Sequence, residues 1–174
     1  SLTDIVACLY SSIMKIDKSN PENEDRDRFI LSKGHACLIL YSALMETGLI
    51  NKNEIKDFES DNSDLPGHPV INRKKGIEFS NGSLGMGLSV GIGVALALKK
   101  KDKKNIVYVA MGDGECNEGS IWEAAMSASN YNMNNLVAII DKNNFQQTGT
   151  TSEIMQNDNL KDKFKFIGFN GEKD

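Results

Sequence analysis

Little in this 174-residue sequence supports a disulfide framework, a membrane span or a nucleic-acid partner. Its three cysteines, Cys8, Cys37 and Cys116, are odd in number and form no Cys-x-x-Cys pair. That excludes a cystine-stapled scaffold and a zinc site, and it points to a reducing, cytoplasmic setting. The longest weakly polar stretch, Gly82 to Leu98, is shorter than the ~20 apolar residues of a membrane span and carries five glycines, so it reads as a core helix. Positive charge is not in excess: the net charge is −4, and the lysine run from Lys99 to Lys104 is broken by Asp102 and ends a solvated helix. The pattern shows no repeat, linker or signal peptide, and the opening Ser1 in place of Met suggests trimming or an incomplete chain. With 40% hydrophobic and 25% charged residues, the chain can bury one core of ordinary size.

What is present centres on two strand-like runs. Asn105 to Ala110 ends at Gly112-Asp113-Gly114, and Asn135 to Ile140 ends at Asn143-Asn144. Ile106, Val107 and Val109 in the first run, and Leu136, Val137, Ile139 and Ile140 in the second, form buried-strand patterns, with a helix expected over Glu118 to Asn132 between them. A strand, crossover helix and parallel strand place both carboxyl ends at one sheet edge, where open α/β sheets bind ligands. Asp113 and Asn143 therefore become spatial neighbours. A carboxylate and an amide oxygen suit a hard divalent cation that takes its remaining ligands from phosphate and water, and the flanking glycines let backbone amides approach that phosphate. Gly-Asp-Gly alone is an ordinary turn; the spacing and the second asparagine make it a ligand set. A calcium loop built on Asp113, Glu115 and Asn117 fails, because its sixth and twelfth positions are Glu118 and Ala124.

Elsewhere, Thr3 to Lys15 is expected as an amphipathic helix capped by Thr3, followed by an acidic loop from Asp17 to Asp27. Phe29 to Leu31 reads as a buried strand leading through Ser32-Lys33-Gly34-His35 into a helix from Ala36 to Thr47, stopped by Gly48. Asn53 is expected to cap a short helix reaching Ser60, and Leu65-Pro66-Gly67-His68-Pro69 is a turn carrying the second of two histidines. Gly82-Ser83-Leu84-Gly85-Met86-Gly87 opens a small-residue helix to about Lys100, with Gly87, Gly91 and Ala95 on one face for close packing. Val90 breaks a Gly-x-Gly-x-x-Gly dinucleotide fingerprint. Gln146 to Ser152 is expected as polar loop and Leu160 to Ile167 as a last helix.

Taken in order, Asp27-Arg28-Phe29-Ile30-Leu31-Ser32-Lys33-Gly34-His35, Gly67-His68-Pro69, Gly82 through Gly87, and Gly112-Asp113-Gly114 through Glu118-Gly119-Ser120-Ile121-Trp122-Glu123-Ala124 to Asn143 resemble the transketolase family. Specifically, they resemble its amino-terminal, diphosphate-binding half. The resemblance implies an α/β fold, a three-layer parallel sheet with helices on both faces, and a single, incomplete diphosphate-binding domain over residues 1–174. It implies thiamine diphosphate as cofactor with Mg²⁺, or Ca²⁺, held by Asp113, Asn143 and the Phe145 main chain. Gly114 and Asn143 are then expected at the diphosphate, with Gly82, Ser83 and Leu84 near the aminopyrimidine and thiazolium. His35 is expected against diphosphate and substrate, and His68 against the hydroxyls of the donor sugar. Glu118 and Glu123 match carboxylates of a subunit-interface network, and Trp122 is expected to pack.

The family's Gly-His-x-Gly-Gly segment, with its histidine near the thiazolium, is expected before the first helix and is missing here. The family's diphosphate domain also continues past Asp174, so the chain is expected to hold roughly two thirds of it. The cofactor-activating glutamate belongs to a pyrimidine-binding domain. The resemblance therefore implies a two-component enzyme that moves a two-carbon ketol unit between sugar phosphates or related sugars. Its partner would be a pyrimidine-domain (C-terminal transketolase) subunit, in a dimer of heterodimers. Deoxyxylulose-phosphate synthase and 2-oxoacid dehydrogenase subunits share Gly-Asp-Gly and the distal asparagine, and a non-catalytic remnant stabilising a paralogous subunit is a third reading. The Ser-Lys-Gly-His and Gly-His-Pro segments favour transketolase.

Overall fold

A computed structural model describes residues 2–169; Ser1 and residues 170–174, the ends of the expected single domain, lie outside the described residues. Three parallel strands form the central sheet in the order β1 (Arg28–Leu31), β2 (Val107–Gly112) and β3 (Leu136–Asp141). Their register pairs Leu31 with Ala110 and Gly112 with Asp141, so the three carboxyl ends lie on one edge.

Alternation along the strands divides the core. Ile30, Val107, Val109 and Met111 pack with α4 (Met86–Lys100), α5 (Gly119–Asn130) and α7 (Leu160–Phe166) on one face. Phe29, Leu31, Tyr108 and Ala110 pack with α1 (Leu2–Cys8) and α2 (Cys37–Glu46) on the other. Successive strand residues point to opposite faces, so buried runs of this kind require cover on both sides. The expected three-layer α/β arrangement is the one found. The small-residue face of α4 makes it compact: a Cβ on Gly91 would stand 2.5 Å from Val109 Cγ2, and one on Gly87 would collide with the Ser32 side chain.

Several expectations shift locally. Thr3 does not cap the first helix but lies inside α1, which passes at Leu9–Ile13 into a π-helical turn closed by Met14 N donating to Leu9 O at 2.8 Å. The wider turn places the adjacent Leu9 and Tyr10 both in the core. Asn51, not Asn53, caps α3 (Lys52–Ile55), because Glu54 stands at the third position needed for a capping box. Helix α4 starts at Met86 behind a left-handed Gly85 (φ +84°), and α5 starts at Gly119 after a 3-10 turn over Gly114–Asn117. Gln146 to Ser152 is not plain loop: β4 (Phe145–Gln146) and β5 (Gly149–Thr150) form a hairpin, and the Thr150–Glu153 capping box opens α6 (Thr151–Ile154). Finally, β3 is an outer strand among the described residues, so Val137 is exposed where a fully buried strand was expected. No helix among the described residues is long and apolar enough to cross a membrane.

Candidate active site

The site is built from loops that leave the carboxyl edge of the sheet. After β2, Asp113 is 1% exposed, and its carboxylate accepts from Gly114 N at 3.0 Å and from Asn144 N at 2.8 Å. After β3, the Asp141 carbonyl accepts from Asn143 N at 3.1 Å and from Asp113 N at 3.3 Å, which ties the two loops into one unit. Asn143 Oδ1 accepts from Phe145 N at 2.9 Å, and Asn143 and Phe145 both reach the surface. The expected pairing of Asp113 with the Asn143 loop is thus present. Among the described residues no cationic side chain lies within ion-pair distance of Asp113. A buried carboxylate left with main-chain donors alone suits a cation supplied from outside. Gly114 backs onto the β4–β5 hairpin so closely that a Cβ would lie 2.9 Å from Gln146 Cβ.

After β1, the chain turns through Ser32, Lys33 and Gly34 to an exposed His35. Lys33 Nζ makes a buried ion pair of 2.6 Å with Asp141 Oδ2, joining the histidine loop to the strand that organises the Asp113 loops. Three segments meet at Gly34, where a Cβ would stand 2.8 Å from Asn81 O and 3.1 Å from His68 Cδ2. The turn that carries His68 is pinned from α2: Cys37 Sγ donates to Gly67 O at 3.1 Å and Tyr41 Oη to Pro66 O at 2.8 Å. Asn81 N donates to Pro69 O at 3.0 Å and Asn81 Nδ2 to Leu31 O at 2.7 Å, which delivers Gly82, Ser83 and Leu84 to the same edge. Gly82 and Ser83 are exposed, and a Cβ on Gly82 would meet nothing within 4 Å. Partial desolvation first, and then the charge of Lys33, hold the surface-reaching His35 imidazole below its ordinary pKa of 6.5. Neutral imidazole can donate and accept one hydrogen bond each.

Glu118 and Glu123 are both exposed, and neither carboxylate has a partner among the described residues. Glu118 borders the site, since a Cβ on Gly85 would lie 2.7 Å from Glu118 Cβ; Glu123 stands farther along α5 and is not gathered with the others. Trp122 packs as expected, its Nε1 donating to Cys116 O at 2.9 Å and its ring 4.7 Å from that of Phe164. Sequence reasoning missed three buried polar groups: the Lys33–Asp141 pair, Asn81 and Glu115. The signal available for Glu115 was an acidic residue placed directly behind Gly-Asp-Gly, which only the rejected calcium loop had used.

The family model described as "Transketolase, thiamine diphosphate binding domain" matches residues 1–173. The chain is 42% identical over 169 residues to one subunit of the apulose-4-phosphate transketolase of Phocaeicola vulgatus, covering 97% of this chain and 60% of that protein. It is 39% identical to the 6-deoxy-6-sulfo-D-fructose transketolase subunit SqwG of a Clostridium species, over 97% of this chain and 62% of that one. Among solved structures, the transketolase of Campylobacter jejuni superposes with a TM-score of 0.85 at 30% identity, over 94% of this chain and 27% of that chain. The chain therefore spans about 60% of the length of the subunit-type relatives it matches.

Proposed function

The chain belongs to the transketolase family, within its thiamine diphosphate-binding domain, and from that premise we propose that it is the diphosphate-binding subunit of a two-component transketolase-like enzyme. The reaction is transfer of a two-carbon ketol unit between sugar phosphates or related sugars. Relatives whose names describe them as single subunits of a transketolase support a division of labour with a second polypeptide. The observation that carries the reading is Asp113, a buried carboxylate at the carboxyl end of β2 that shares the Asp141 carbonyl with Asn143 and has no cationic side chain beside it among the described residues.

In this reading Asp113, Asn143 and the Phe145 carbonyl hold Mg²⁺, or Ca²⁺ in its place. A cation held there would neutralise charge on the diphosphate, and the Gly114 amide and Asn143 would face that diphosphate from the protein side. Gly82, Ser83 and Leu84 line the aminopyrimidine and thiazolium. Thiamine diphosphate, when bound, supplies the carbon nucleophile and electron sink that make the two-carbon unit transferable. The chain's own residues orient and neutralise. Asp113 balances the metal's charge, His35 hydrogen-bonds diphosphate and substrate as a neutral imidazole, and His68 holds the donor's hydroxyls. Glu118 and Glu123 face a second subunit, where exposed carboxylates gain the partners they lack here. The activating glutamate comes from a pyrimidine-domain subunit, and the assembly is a dimer of heterodimers in the cytoplasm. Residues 1–174 contribute to a single diphosphate-binding domain.

The test is to purify the enzyme from its native host through a tag on this chain and assay ketol transfer with added thiamine diphosphate and Mg²⁺. Transfer that requires a co-purifying pyrimidine-domain subunit is the expected result. Steady transfer by this chain alone, its purity checked by intact mass, refutes the two-component reading.

A further inference from the structure

Glu115 is 3% exposed, and the proposed chemistry gives its carboxylate no task. Three donors from separate parts of the sequence nevertheless converge on it. Oε1 accepts from Ser32 Oγ, behind β1, and from Gly85 N at 2.9 Å; Oε2 accepts from Gly112 N at 3.0 Å. Ser32 Oγ in turn accepts from Gly87 N at 3.1 Å, so the first turn of α4 is held through the same pair.

Gly85 is clamped from both sides. Its N–H goes to Glu115, its carbonyl accepts from Ser120 Oγ at 2.9 Å, and its left-handed φ of +84° leaves no room for a side chain against Glu118. Gly85 directly follows Gly82, Ser83 and Leu84, and Gly112 directly precedes Asp113. One carboxylate therefore bonds the residue next to the proposed ring-binding segment and the residue next to the proposed metal ligand. We infer that Glu115 is a positioning residue, whose carboxylate sets the separation between the Gly82–Leu84 segment and Asp113 and thereby the affinity for thiamine diphosphate.

The inference rests on the proposed function and deepens it. An ionised carboxylate is the side chain suited to the place, because it accepts on both oxygens and donates on neither. An amide of the same shape would turn an NH₂ group toward Gly112 N–H or toward the Ser32 and Gly85 donors, leaving buried groups unpaired.

Glu115→Gln and Ser32→Ala would be compared with the parent in the enzyme purified through a tag on this chain. Cofactor affinity would be measured by titration of thiamine diphosphate with Mg²⁺, and backbone exchange at Gly85 and Gly112 by hydrogen–deuterium exchange. The Glu115→Gln dissociation constant is expected to rise about tenfold, and that of Ser32→Ala about threefold, because Glu115 then keeps its Gly85 and Gly112 donors while Gly87 N loses its acceptor. The kcat at saturating cofactor should stay within about twofold, since a positioning defect that only weakens cofactor binding is overcome once the site is filled. Both amides should exchange faster in Glu115→Gln. Thr47→Val, a buried polar position at the end of α2, controls for general loosening and should leave affinity unchanged. If Glu115→Gln does not fold, Ser32→Ala alone decides. Unchanged affinity in the folded variants, or kcat falling in step with thermal stability, overturns the inference. Asp113→Ala, run alongside, separates the causes: parental affinity there defeats the functional reading, whereas a loss there with unchanged Glu115→Gln defeats only the positioning role.

Discussion

Replacing Lys33 with Met removes an ammonium and leaves the rest of the side chain's volume nearly intact. In the native protein Lys33 Nζ lies 2.6 Å from Asp141 Oδ2, and the two side chains are 7% and 9% exposed. At that burial water does not screen the survivor, and breaking one side of a buried pair costs about 3–5 kcal/mol because an uncompensated charge remains. Set against a total stability of about 5–15 kcal/mol, this is a large share. For a domain of this length, each kcal/mol moves the melting temperature by about 2–4 °C, so Lys33→Met should melt about 6–20 °C lower. Adding Asp141→Asn should recover most of the loss, a coupling of about 2 kcal/mol or more between the two changes. Urea unfolding of the four proteins in this cycle measures it. A Lys33→Met cost below about 1 kcal/mol, the range of exposed pairs, would show that the pair is solvated and refute the argument. Because the Asp141 carbonyl also accepts from Asp113 N and Asn143 N, cofactor affinity should fall with stability in the single variant and return in the double.

Kinetics on the assembled enzyme should separate the histidines: His68→Ala lowers kcat/KM for the donor with cofactor affinity intact, whereas His35→Ala weakens both, each loss worth about 1–3 kcal/mol. Unchanged donor kinetics in both variants would make them structural. Partial desolvation and then Lys33 lower the His35 pKa, so its NMR titration midpoint should lie below 6.5 and move up in Lys33→Met; no movement would remove Lys33 as a cause. Because the fold favours the neutral form, the stability present above the unfolded-state value of 6.5 is lost as pH falls from there through the lower folded-state value. Native-state alkylation at mildly alkaline pH should mark Cys8 alone, since Cys8 is exposed, burial raises the Cys37 thiol, and burial with Glu115 and Asp113 nearby pushes Cys116 up to about 12. A second adduct appearing as fast as the first, read by intact mass, would contradict that burial.

The parts of the fold written in local periodicity were legible. Near-continuous apolar runs marked β1, β2 and β3 within two residues, and the glycine and alanine face of α4 announced its close approach to Val109. The loops after β2 and β3 were placed together because right-handed parallel crossovers leave little choice. What stayed hidden depends on partners far apart in sequence. Lys33 and Asp141 are separated by 108 positions and Ser32 and Glu115 by 83, so neither pair leaves a pattern within any local window. The π-helical turn at Leu9–Ile13 was missed because tertiary packing of Leu9 and Tyr10 overrides the 3.6-residue period. Exposure along β3 was misjudged because composition does not say which strand stands at the sheet's edge.

On the proposed function, Asp113 holds a divalent cation, which in turn holds the cofactor. Calorimetric titration of the assembled enzyme with thiamine diphosphate, with Mg²⁺ and then with the metal chelated, tests it in the parent and in Asp113→Ala. Tight binding is expected only in the parent with metal, with a large loss on chelation or on substitution. Equal affinity in Asp113→Ala, or binding in the parent that ignores chelation, would contradict it.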